Sequence, residues 1–145
     1  MYLTWYTHGL DRSPKSSNGA DAASGASEKQ GKRIPAIFFR TETGREPVRD
    51  WLRGLSQEDR KRIGEDIKTV EFGWPIGMPV CKPLGDGIYE VRTNLAQNRT
   101  ARVLFYIGKK GRMVLLHGFM KKTRRTPDAD FEMARKNKSK HQKGM

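Results

Sequence analysis

The sequence predicts an α+β fold. A mostly antiparallel sheet of three late strands is joined by one early strand, with a helical hairpin on one face. Three observations lead there. Apolar residues recur at helical spacing between residues 48 and 70. From Ile88 the period becomes two and stays so through Lys121. Between the two regimes, Gly73, Pro75, Gly77 and Pro79 break all regularity. The order over residues 34–135 is β-α-α-β-β-β-α.

Residues 1–10 contain Tyr2, Trp5 and Tyr6 without periodicity, and they are too short and too polar for a secretory signal. Residues 11–33 mix Ser, Gly, Ala, Asn, Asp and Lys with almost no large apolar side chain. Such a stretch buries too little surface to offset the entropy of ordering, so residues 1–33 are expected to be a disordered extension. Residues 34–40 (IPAIFFR) form a short β-run, with Pro35 suited to its first positions. A turn around Gly44 follows. Pro47 opens a helix at the favoured first-turn position, and Val48, Trp51, Leu52 and Leu55 make one apolar stripe. Gly54 ends that helix. Ser56 and Asp59 resemble a capping box for a second helix, whose stripe is Ile63, Ile67 and Val70.

The late strands are expected at residues 88–93, 100–107 and 113–121, with a tight Gly-Lys-Lys-Gly turn at 108–111. Strict alternation puts Met113, Leu115, His117, Phe119 and Lys121 on one face of the last strand. Val114, Leu116, Gly118 and Met120 fall on the other, which is expected to pack on the core. After Pro127 a short helix carries Phe131 and Ala134 and fades into a flexible basic tail at 136–145.

The charge is unevenly placed. Of a net +13, residues 99–145 supply +11, from 14 Lys/Arg against 3 Asp/Glu. A basic terminal third is the footprint of a nucleic-acid binder, because phosphate neutralisation releases counterions. The single cysteine, Cys81, excludes an internal disulfide and a multi-cysteine zinc site, and fits a reducing cytoplasm. No stretch is long and apolar enough to span a membrane.

The cations on the late strands carry the chemistry. Arg92, Arg102, His117 and Lys121 lie within side-chain reach across neighbouring strands, with Lys122 just after. A cation facing the core is costly, so Arg92 and Arg102 must be paired or lie on an open face. Two Arg, a His and one or two Lys fit a phosphodiester. The guanidinium forks clamp phosphate oxygens and stabilise the extra charge of the transition state. His117 or a Lys of lowered pKa can take a proton from a 2′-hydroxyl or give one to the leaving oxygen. Phe119 or Tyr106 could stack on a base. Lys109, Lys110, Arg124 and Arg125 add phosphate contacts. Each residue also has a plainer reading: His117 as a hydrogen-bonded structural histidine, Arg92 as a surface partner of Glu90, Phe119 as packing. No metal-ligand spacing is present, so the expected mechanism uses no metal and no other cofactor.

Tyr89-Glu90-Val91-Arg92, Arg102-Val103-Leu104-Phe105-Tyr106, the run from Leu115 to Thr123, Thr126-Pro127, Glu132 and Ala134-Arg135 together resemble the RelE/ParE toxin superfamily. The resemblance is greatest to its phage-derived, HigB-type branch and covers residues 34–135. It implies a RelE-like fold and a cytoplasmic toxin of a type II toxin–antitoxin system. Such a toxin is a ribosome-dependent mRNA endoribonuclease (an mRNA interferase), neutralised by a helix-turn-helix antitoxin. The family's basic strand positions match Arg92, Arg102, Lys121 and Lys122. Ala101 departs from the pattern, standing where many relatives carry an aromatic. The same superfamily includes gyrase inhibitors of the ParE kind, and a phage-derived relic could bind nucleic acid without cleaving it. The fold hosts all of these, so the residues of the site must decide.

Overall fold

A computed structural model of the chain describes residues 31–121 and 126–144. The architecture is α+β and RelE-like. Five strands form one mostly antiparallel sheet: β1 (Ala36–Phe38), β2 (Cys81–Gly85), β3 (Ile88–Asn94), β4 (Thr100–Ile107) and β5 (Met113–Lys121). The spatial order is β1-β5-β4-β3-β2. β1 runs parallel to β5, and every other pair is antiparallel. Helices α1 (Pro47–Arg53) and α2 (Gln57–Gly73) cover one face, and α3 (Asp128–Lys143) covers the other. Among the described residues, no helix is long and apolar enough to cross a membrane.

The helical hairpin forms as its sequence requires. Pro47 sits in the first turn of α1, and Ser56 caps α2 by accepting from the Asp59 N–H at 3.1 Å. Val48, Leu52, Ile63, Ile67 and Val70 are buried against Ala36, Phe38, Val91, Val103, Phe105, Met113 and Leu115. Glu71 of α2 is fully buried and anchors the start of the domain. Its carboxylate accepts from the Ala36 N–H at 2.6 Å and lies 3.4 Å from Lys32 Nζ. Arg33 and Ile34 N–H groups bond the Glu71 carbonyl. Residues 32 and 33, expected to be disordered, are therefore tied to α2; the rest of that expectation, for residues 1–30, lies outside the described residues.

Three features differ from the sequence expectation. First, β2 is an additional strand in the stretch read as irregular. It holds Pro83, which the ladder tolerates because β2 is an edge strand. Asp86 and Gly87 adopt φ of 56° and 74°, the left-handed pair that closes a tight hairpin onto β3.

Second, β5 carries a bulge. His117 pairs with Leu104 and Leu115 with Phe105, so Leu116 is an extra residue in the ladder. A one-residue slip exchanges the faces beyond it. Met113, Leu115 and Met120 pack with the α1–α2 core, and Gly118 lies against Trp51 of α1. Val114, Leu116, His117 and Phe119 turn towards α3. The strict alternation expected for β5 thus holds only on either side of Leu116.

Third, α3 continues through the expected tail to Lys143. Asn137 is buried and donates to the Leu116 carbonyl at 2.9 Å, and His141 Nδ1 lies 2.5 Å from Tyr106 Oη. These contacts, together with Ala134 against Leu104 and Leu116, offset the weak apolar periodicity of the segment.

Candidate functional site: a basic cluster at one end of the sheet

α3 covers only part of its face of the sheet. Ala134 packs with Ile88, Leu104, Tyr106, Val114 and Leu116, and beyond them the strands carry charge. Arg92 of β3 pairs directly with Arg102 of β4, Arg102 pairs with Phe119 of β5, and Thr100 pairs with Lys121. Lys82 of β2 stands opposite Glu90 of β3. Residues paired across an antiparallel ladder have Cβ atoms about 5 Å apart, so these side chains occupy one patch.

Glu90 lies at its centre. It is 0% exposed and forms an ion pair with Arg102, itself 3% exposed. Its other oxygen accepts from Thr126 Oγ1 at 2.6 Å. The plainer sequence reading of Arg92 made it a surface partner of Glu90, two residues away along the strand. The structure corrects this: the partner comes from β4, because ladder neighbours are closer than residues two apart on one strand. Burial lowers the Arg102 pKa from its ordinary value. Arg102 Nε is buried and has no hydrogen-bond partner among the described residues.

Lys121 is 8% exposed. Burial, followed by the positive charges of Arg102, Lys82 and Arg92, pulls its ammonium down to about 8. Lys82, Arg92, Arg102 and Lys121 thus gather around a single carboxylate whose charge is already paired with Arg102. Such a cluster has a net positive charge and an amine able to exchange a proton near neutral pH, the two properties a phosphodiester site needs.

His117 shares the face with Phe119 and Lys121 but is held differently. Its Nε2 lies 2.6 Å from Asp130 Oδ1 in the first turn of α3, and its ring stacks on Phe119 at 5.5 Å and 25°. It joins α3 to β5 and stands four residues from Lys121, about 13 Å along a strand. Phe119 is half-buried and lies opposite Arg102.

The remaining sequence candidates fall elsewhere. Lys122, Arg124 and Arg125 lie outside the described residues. Lys109 and Lys110 are exposed in the β4–β5 turn, seven or more residues from Arg102 and so more than about 20 Å away. Tyr106 is 4% exposed beneath His141, with Lys138 Nζ 5.5 Å from its ring centroid. It is a core aromatic and offers no free face to a base. Sequence reasoning missed Lys82 because it missed β2. The Asp86-Gly87 dipeptide before the alternating run at Ile88 was the available signal.

No curated protein matches the chain. A family model described as "Phage derived protein Gp49-like (DUF891)" matches residues 50–139, from α1 through most of α3, and so spans every strand of the basic cluster. The chain belongs to this phage-derived, Gp49-like family, which is associated with toxins of the RelE and HigB type.

Proposed function

We propose that this protein is the toxin of a type II toxin–antitoxin pair, an endoribonuclease that cuts mRNA at the ribosome by a metal-independent route. The observation that carries the reading is the buried Lys121 among Arg102, Lys82 and Arg92, with an ammonium that titrates at about 8. An amine of that pKa is partly neutral in the cell and can act as a base, whereas an ordinary lysine cannot.

In this reading Lys121 takes the proton of a ribose 2′-hydroxyl. The 2′-oxygen attacks phosphorus, the bond to the 5′-oxygen breaks, and a cyclic phosphate and a 5′-hydroxyl remain. Lys122, next in the chain, gives the leaving oxygen its proton. Arg92, half-exposed beside Arg102, meets the phosphate oxygens. Arg102, locked to Glu90, adds positive potential from beneath. Phe119 offers a stacking edge to the neighbouring base, and His117 holds it in place. Lys109 and Lys110, at the other end of the sheet, serve ribosomal or messenger phosphates away from the cut. The cognate antitoxin is a helix-turn-helix protein.

The test is primer extension on mRNA after induction, repeated in extracts with chelator. Lys121→Arg with Lys122→Arg keeps the charge but replaces both amines with guanidinium groups that cannot exchange a proton near neutral pH, and is expected to abolish cleavage while ribosome binding persists. His117→Gln is expected to leave cleavage within a few fold. Full cleavage by the double lysine variant would refute the assignment. Growth arrest without mRNA cleavage by the wild type would move the reading to gyrase inhibition.

A further inference from the structure

β1 is much shorter than β5. Their pairing ends at Phe38 with Leu115, with one more rung from the Phe39 N–H to the Leu115 carbonyl at 3.1 Å. β5 continues to Lys121 with β4 on one side. Among the described residues, no strand pairs with its other side beyond Leu115. Residues 117–120 are half-buried rather than covered. A strand edge of this kind is a template for another chain.

A groove of about 540 Å³ lies over that edge, between the loop before α1 and the exposed side of α3. His117 and Gly118 line it, with Trp51 and Met133 as apolar walls. Arg45, Lys136 and Lys140, all exposed, also line it, and among the described residues the lining contains no carboxylate. The bulge at Leu116 matters here. It turns Gly118 to the Trp51 side, so the backbone at the groove carries no side chain on that face.

We propose that this edge receives an extended acidic segment of a partner protein, added to the sheet as a strand beside β5. Main-chain hydrogen bonds to residues 117–120 supply the pairing, and the groove supplies selectivity through alternate side chains. Lys136 and Lys140 select acidic residues on the α3 side of the segment, and Trp51 of α1 takes apolar residues on the other. A second copy of this chain is a poor occupant, because its net charge of +13 repels the same cations. The neutralising role of such a partner rests on the toxin reading above; the binding itself does not.

The test uses the full-length protein and a decapeptide alternating valine and glutamate. Titration followed by amide exchange is expected to show saturable binding and new protection confined to residues 117–120. Replacing glutamate with lysine is expected to abolish binding. So is alternate N-methylation of the glutamate peptide, which removes ladder hydrogen bonds without changing charge. Lys136→Glu with Lys140→Glu is expected to weaken binding at least tenfold and to leave RNA cleavage unchanged. Three outcomes would overturn the proposal: binding that survives N-methylation, no protection at residues 117–120, or complete protection there in the free protein. The last would mean that another part of the chain or a second copy already occupies the edge. A protein that binds the peptide but cuts no RNA would refute the nuclease reading alone.

Discussion

Glu90 on β3 and Arg102 on β4 form an ion pair with both side chains almost fully withdrawn from water, 0% and 4% exposed. Removing one partner of such a pair leaves an uncompensated buried charge. Glu90→Gln is therefore expected to destabilise the fold by about 3–5 kcal/mol, measured as a shift of the urea midpoint at constant m-value. Glu90→Gln with Arg102→Met removes both charges and is expected to recover most of that loss. A Glu90→Gln protein as stable as the wild type would show that the pair is solvated.

Gly118 lies flat under the indole of Trp51. A Cβ at position 118 would fall 2.6 Å from Trp51 Cζ3 and closer still to Cε3, inside van der Waals contact. Overpacking of this kind costs roughly 1–3 kcal/mol. Gly118→Ala is expected to lower stability by that amount in chemical denaturation. Trp51→Leu in the same protein should relieve the clash, so the two changes together cost less than their sum.

Lys121 has a pKa lowered to about 8 from an ordinary 10.5. The unfolded chain then binds this proton more tightly than the folded one between these values. Stability should therefore rise as pH climbs from about 8 to about 10.5, the reverse of a lysine that gains an anionic partner. Below about 8 both states are protonated and the cost of burying the ammonium is felt in full. Lys121→Met is expected to remove this component, seen as a flatter stability profile across that window. Cleavage, if Lys121 is the base, should climb with pH and level off near 8. A wild-type profile that is flat on both measures would rule out the lowered pKa.

The last turns of α3 hold the sheet through Asn137 and His141. Asn137→Ala strips the Leu116 carbonyl of its donor at the bulge and should cost about 1–3 kcal/mol. Ending the chain after Arg135 should cost more, because it also uncovers Tyr106. Equal stability of the truncated and intact proteins, compared by thermal unfolding, would restore the view of residues 136–145 as a passive tail.

Much of this protein is written locally. Pro47, the Ser56 cap and the stripe Ile63–Ile67–Val70 specify the helical hairpin, because caps and helical periodicity act over a few residues. The period of two from Ile88 to Lys121 specifies three strands, and the concentration of positive charge in residues 99–145 is read directly from the sequence. Tertiary structure decided the rest. The bulge at Leu116 follows from fitting β5 between β1 and β4 while α3 docks through Asn137, and alternation alone carries no sign of it. Glu90 joins Arg102 rather than Arg92 because strand register, not chain distance, sets which side chains meet. Lys82 enters the cluster through a β2 edge strand that Pro83 conceals in the sequence. The lowered pKa of Lys121 depends on burial and on three cations from three other strands, a long-range sum that no local pattern encodes.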